Sequence, residues 1–193
     1  MSSTGPQPVR MAKADPFMDI QIANRQKRHT ISLKKIRQAA RILLGALKRP
    51  DAELSILLVD DREITGINLA FLNRHGPTNV IAFPMREGAY GDLTPNLLGD
   101  VVICVDTALR ESRLAGRTLE ERVTELLVHG VLHLCGYDHE NGGRPARRMA
   151  DKSRRLVKKI EERWKLEAGS SKPKPVKAAP AIPEPRKNRS THS

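Results

Sequence analysis

His129-Gly130-Val131-Leu132-His133-Leu134-Cys135-Gly136-Tyr137-Asp138-His139 is the stretch from which the rest of the chain can be read. It holds half of the chain's 6 histidines. His129 and His133 are four residues apart, and on a helix residues i and i+4 lie one above the other on the same face. Upstream, Thr118-Leu119-Glu120-Glu121 has the form of a capping box, in which Thr and Glu satisfy each other's free backbone donors. Between the two, Val123, Leu126, Leu127, Val131 and Leu132 recur at helical spacing. The pattern predicts an apolar, central helix that delivers two imidazoles near its C-terminal end. Gly136 ends the helix, because glycine enters the left-handed conformation at low cost, and the returning chain brings His139 back to the pair. Three imidazole nitrogens at roughly 2.0–2.1 Å leave one tetrahedral position open for water, which distinguishes a catalytic zinc from a structural one. The expectation is one zinc per chain on His129, His133 and His139, with zinc-bound water as the reactive group. Cys135, the rival ligand, lies about 200° round the helix from His133 and is expected to face away as a buried reduced thiol.

The offsets of these residues also fit the protease pattern H-E-x-x-H-x-x-G-x-x-H. Those proteases use the Glu after the first histidine as general base. Here that position is Gly130, which has no side chain to move a proton. The pattern therefore implies metal-assisted hydrolysis of something other than a peptide.

Outward from this helix, the other elements follow from periodicity. Residues 1–17 are rich in Ser, Pro and Gly and are expected to be disordered. Met18–Ile22 alternates as an edge strand. Ser32 opens an amphipathic helix bearing Leu33, Ile36, Ala39, Ala40, Leu43, Leu44 and Leu47, and Pro50 stops it. Leu54–Val59 reads as a buried strand. Asp60 or Asp61 caps a helix carrying Ile64, Ile67, Leu69, Phe71 and Leu72, which Gly76-Pro77 breaks. Asn79–Phe83 and Gly99–Val105 are the third and fourth strands, separated by a polar loop over 85–97. Asp106 caps a short helix that ends near Gly116, and a last helix runs from about Pro145 to Leu166. The order β, α, β, α, β, β, α, α, α predicts a single α+β domain over residues 18–167, with a roughly four-stranded mixed sheet and about five helices. Residues 168–193 are Pro-, Lys- and Ala-rich, with too little apolar content to fold.

The 193 residues carry a net charge of +12, and its position is informative. Through residue 143 there are 18 Lys and Arg against 17 Asp and Glu; residues 144–167 have ten against four, and 168–193 have six against one. The basic part is thus the last helix and the tail, an electrostatic footprint of the kind nucleic-acid binders carry. Arg144, Arg147, Arg148 and Lys152 are the candidate nucleic-acid contacts. Two cysteines provide no disulfide framework, which suits a reducing cytoplasm. No apolar run approaches the roughly 20 residues of a membrane span.

Three blocks make the chain resemble the YbeY family of endoribonucleases. Residues 129–139 are similar to that family's H-G-x-L-H-L-x-G-Y-D-H. Pro77-Thr78-Asn79-Val80-Ile81-Ala82-Phe83-Pro84 is similar to P-T-D/N-V-L-S-F-P, and Leu98-Gly99-Asp100-Val101-Val102-Ile103 to L-G-D-I-x-I. The resemblance implies a zinc-dependent, single-strand-specific endoribonuclease acting in ribosomal RNA processing (16S rRNA 3′ end maturation) and ribosome quality control. It implies single-stranded ribosomal RNA and the small ribosomal subunit as partners. The family's L-N-x-x-Y-R-G segment is shortened here to Leu72-Asn73-Arg74-His75-Gly76-Pro77, so Arg74 is the candidate for the family's functional arginine. The family's strand serine is Ala82.

In this reading Arg74 forks onto a phosphate. Asp138 either holds a ligand histidine's other N–H or caps a turn. Zinc-bound hydroxide and the RNA's own 2′-hydroxyl are both possible attacking groups. His75 reads as an inert loop histidine. The alternatives are a metalloprotease-like zinc hydrolase, opposed by Gly130, and a non-catalytic RNA-binding ribosome assembly factor. The latter's structural zinc would want a fourth protein ligand.

Overall fold

The computed structural model describes residues 19–85, 96–137 and 142–170. Its elements are β1 (Ile20–Asn24), α1 (Leu33–Ala46), β2 (Glu53–Val59), α2 (Asp61–Leu72), β3 (Val80–Pro84), β4 (Leu97–Cys104), α3 (Val105–Leu114), α4 (Leu119–Leu134) and α5 (Gly143–Ser170). The strands form one sheet in the order β1-β2-β4-β3. β1, β2 and β4 run parallel and β3 antiparallel to β4. This is the mixed-sheet α+β domain expected from the order of apolar runs, with β1 at an edge. The disorder expected for 1–17 and for the tail, and the polar loop expected over 85–97, fall mostly on residues outside the described ones.

Both faces of the sheet are covered, which is why β2 reads as an almost unbroken apolar run. Leu54, Ile56, Leu58, Val101 and Ile103 point into the main core with α1, α4 and α5. Val59, Val102 and Cys104 point the other way, against Ile64 of α2. Along β4 the alternation breaks, since Leu98 and Val101 both reach the main core. A bulge explains it: Leu97 faces Glu53 and Gly99 faces Leu54, so Leu98 is an extra residue. Gly99 sits there at φ +135°, where a Cβ would meet the Phe83 carbonyl oxygen at 2.2 Å.

α4 is the hub, packing on α1, α3, α5, β3 and β4. Val123, Leu127, Val128, Val131 and Leu132 are no more than 1% exposed, and each such side chain contributes about 1.5–3 kcal/mol by leaving water. Its expected capping box is present: Glu121 N–H donates to Thr118 Oγ1 at 3.2 Å and Thr118 N–H to Glu121 Oε2 at 2.9 Å.

Some local expectations are corrected. α1 ends at Ala46, before Pro50, with Leu47 as its C-cap. Of the apolar residues assigned to α2, Leu69, Phe71 and Leu72 are exposed. Asp60 is the N-cap of α2, its carboxylate accepting Glu63 N–H at 2.9 Å. Asp106 does not cap α3. Cys104 holds that position without a side-chain bond, and the Asp106 carboxylate instead accepts Asp61 N–H at 3.1 Å and lies 2.7 Å from His29 Nε2. The last helix is longer at both ends than the sequence suggested.

Asp61, at the first turn of α2, ties the second face together. It accepts both guanidinium nitrogens of Arg110, at 2.7 and 2.9 Å, and the Thr107 hydroxyl at 3.0 Å. Arg110 is the main reason its pKa falls from 3.8 to about 2, against the opposing effect of partial burial. The carboxylate is about one-third exposed, so solvent screening reduces its worth to about 1 kcal/mol. A folded pKa below the unfolded one gives stability that is complete above about pH 4 and is lost as pH falls toward 2. Asp61→Asn is therefore expected to cost about 1 kcal/mol in urea unfolding at pH 7, with roughly half of that difference gone by pH 3. A difference that stayed constant across this range would show that the pair's charge is not what stabilises.

Candidate active site

α4 ends as the glycine at 136 foretold. Gly136 takes φ +78°, its N–H donates to His133 O at 2.8 Å, and Tyr137 N–H donates to Leu132 O at 3.0 Å. These two bonds make a Schellman cap. It turns the chain sharply just after His133, within one helical turn of His129.

The two histidines face each other at this end. Their rings are edge-to-face with centroids 4.7 Å apart, and their Nε2 atoms lie 3.1 Å apart. A tetrahedral ion holding two nitrogens at 2.0–2.1 Å sets them about 3.3 Å apart, so the pair fits two ligand positions of one metal. Among the described residues no three His, Cys, Asp or Glu side chains gather closely enough to hold an ion. The expected third ligand, His139, lies outside the described residues, as does Asp138. Cys135 is the half-buried C-cap of α4, packs against the main core and does not line the histidine cleft.

That cleft, of about 580 Å³, lies between the end of α4, strand β3 and the segment after α2. His129, His133, Tyr137, Arg74, Thr78 and Ala82 line it. The structure thus brings Arg74 to the histidine pair despite the shortened segment. Asn73, in the left-handed conformation at φ 51°, ends α2, and Arg74 N–H returns to Asn68 O at 3.3 Å. His75 is exposed and does not line the cleft.

Gly130 proves to have a packing role. A Cβ there would lie 2.7 Å from Val101 Cγ1, 3.2 Å from Val101 Cγ2 and 3.3 Å from Val80 Cγ2. The missing side chain lets α4 rest directly on β3 and β4, and so seats the histidines against the sheet.

A second groove, of about 880 Å³, runs between α4 and α5 and shares Asn79, Val80 and His129 with the cleft. Asn79 is held firmly at the junction. Its carbonyl accepts Cys104 N–H at 2.9 Å and its Nδ2 donates to Glu111 Oε1 at 3.0 Å. Glu111 accepts a hydrogen bond from Arg122 Nε at 2.8 Å, and Arg122 Nη1 donates to Glu125 Oε2 at 2.8 Å. Sequence reasoning did not find Asn79, Glu111, Arg122 and Glu125, because they come from three separate segments. Asn79 had the one available signal, its place in the second sequence block. Arg144, Arg147 and Arg148 are exposed on α5 and Lys152 is half-buried; none of the four lines either opening, whereas Arg154, Lys158 and Lys165 line the groove.

Fold and cleft define a class: an α+β domain whose central helix presents a histidine pair to an open cleft beside an arginine. The family model described as Endoribonuclease YbeY matches residues 21–161. An Endoribonuclease YbeY of Geobacter sulfurreducens is 48% identical over 145 residues, covering 75% of this chain and 97% of its own. One from Aquifex aeolicus is 39% identical over 138 residues, covering 70% and 89%. This chain belongs to the YbeY endoribonuclease family. A Thermotoga maritima protein known from a solution structure shares the fold at 23% identity and TM-score 0.55, with 82% of this chain and 99% of that one covered. Among the described residues no helix is long and apolar enough to cross a membrane.

Proposed function

We propose that this protein is a zinc-dependent endoribonuclease that cuts single-stranded ribosomal RNA in the cytoplasm. The observation that carries the reading is the convergence of His129 Nε2 and His133 Nε2, 3.1 Å apart, in a cleft that also holds Arg74. Those two histidines, with His139, would hold the ion. Bound there, zinc supplies a Lewis acid for a phosphoryl oxygen and brings the pKa of water toward neutrality. The chain's own part is to place the phosphodiester. Arg74 meets the charge on its non-bridging oxygens with a planar pair of donors, and Asp138 orients a ligand histidine. Gly130 leaves no carboxylate where a peptidase needs its base, which supports RNA over protein as substrate. The family supports maturation of the 16S rRNA 3′ end, ribosome quality control and the small ribosomal subunit as setting and partner. Arg144, Arg147, Arg148 and Lys152 extend the contact with RNA beyond the cleft.

Incubation of the full-length protein with single-stranded ribosomal RNA and with casein, each with and without chelator, tests this. RNA is expected to be cut and casein spared, and chelation is expected to abolish the cutting. Casein cleavage, or RNA cleavage indifferent to chelator, would overturn the reading. RNA binding without any cleavage would make the protein an assembly factor instead.

A further inference from the structure

An endonuclease differs from an exonuclease in one geometric demand: the strand continues past the scissile bond on both sides. A single cleft holds one flank and leaves the other in solvent. Here two openings meet at Asn79, Val80 and His129. Along α5 the wall of the second opening runs from Ala146 to Lys165, about 28 Å of helix at 1.5 Å per residue, which is room for several nucleotides. Leu126, Met149 and Val157 give it an apolar floor, and Arg154, Lys158 and Lys165 stand along its α5 side. Three carboxylates also line it, Glu125, Glu161 and Glu162. Glu125 is matched by Arg117 and Arg122, and Lys158 lies 3.8 Å from Glu162. Five cationic side chains against three carboxylates leave the lining net positive.

We propose that the α4–α5 groove is the binding track for one flank of a single-stranded RNA whose other flank lies in the Arg74 cleft, so that the scissile bond sits where the two meet, beside His129. The proposal rests on the endoribonuclease reading above. The phosphates face Arg154, Lys158 and Lys165, a positively charged groove that tracks the backbone of a single strand, while the bases lie over the apolar floor. Asn79, clamped by Glu111 and the Cys104 N–H, fixes the junction.

The test uses the full chain, a groove variant (Arg154→Gln, Lys158→Gln, Lys165→Gln) and a control of equal charge on the exposed side of α5 (Arg155→Gln, Lys159→Gln, Arg163→Gln). The probe is a labelled single-stranded RNA longer than the ~4–16 nucleotides such tracks cover. The groove variant is expected to raise KM at least tenfold with kcat within twofold, and the control to change KM less than threefold. Anisotropy under chelation reads RNA affinity without turnover. There the salt slope of the groove variant should flatten by about 2, from three contacts at roughly 0.7 each. Trimming the RNA on either side of the cut should weaken the parent protein, whereas in the groove variant only one side should still matter. Equal KM, affinity and salt slope in the groove and control variants would overturn the proposal, as they would if the groove takes a protein segment instead. If the parent protein binds RNA through the groove but cuts nothing, the endoribonuclease reading fails and the groove's affinity for RNA survives as a separate result.

Discussion

His129→Ala and His133→Ala are each expected to remove most bound zinc and to lower RNA cleavage at least a hundredfold. Loss of an outer partner to a metal ligand already costs about 10–100-fold, and loss of a ligand costs more. Both imidazoles are half-buried at the mouth of the cleft rather than in the core, so neither substitution opens a large cavity, and far-UV circular dichroism should be unchanged. Arg74→Ala is the contrasting case. Arg74 is exposed and lines the same cleft, yet it is not a ligand, so zinc content should stay at one per chain while cleavage falls. Zinc by atomic absorption and cleavage of single-stranded RNA, measured on the same preparations, separate the two roles. Full zinc occupancy in both histidine variants would remove the basis of the metal site. Cleavage within twofold of the parent for Arg74→Ala would make that arginine a surface residue.

What could be read from the chain beforehand was set by interactions close in sequence. The Schellman turn at Gly136 and the box at Thr118 are local, each closed within a few residues, so the ends of α4 and the facing of its histidines were legible. The order of apolar runs gave the mixed sheet, because burial on both faces removes polar residues from β2. The long-range features were not legible. The extra residue Leu98 is recognisable only from its partner strand, and Asp106 is diverted from capping by His29, 77 positions away. The charge count located the basic helix but not which of its cations face the groove. That depends on α5's register against α4, with Met149, Leu156 and Ile160 buried. The groove itself is assembled from residues as far apart as Asn79 and Lys165, and no pattern along the chain announces it.

Gly130→Glu would recreate the protease pattern in the sequence, and it is expected to yield no protease. In most helices replacing glycine by alanine gains about 1 kcal/mol through backbone entropy. At 130 the first added carbon would come within 2.7 Å of Val101 Cγ1. Val101 is 0% exposed, is stiff at χ1 because it is β-branched, and sits in the β4 ladder, so it cannot yield without moving the sheet. Overpacking of this kind costs about 1–3 kcal/mol, which outweighs the helix gain. Gly130→Ala should fold with a melting temperature lower by about 2–4 °C. Glutamate puts a longer, charged side chain on the same clashing carbon, so its overpacking cost should exceed that of alanine. Against a total stability of about 5–15 kcal/mol, that variant should be largely unfolded at 37 °C and cleave neither casein nor RNA. Thermal melts of both variants, with casein and RNA assays, read the difference. A Gly130→Glu protein melting with the parent would mean that α4 can lift from the sheet, and the glycine would then mark only an absent base. If the ordering is parent, then alanine, then glutamate, the fold itself reserves position 130 for glycine. A helix pressed this closely to its sheet can carry the histidine pair but leaves no room for a Cβ on the residue that follows the first of them.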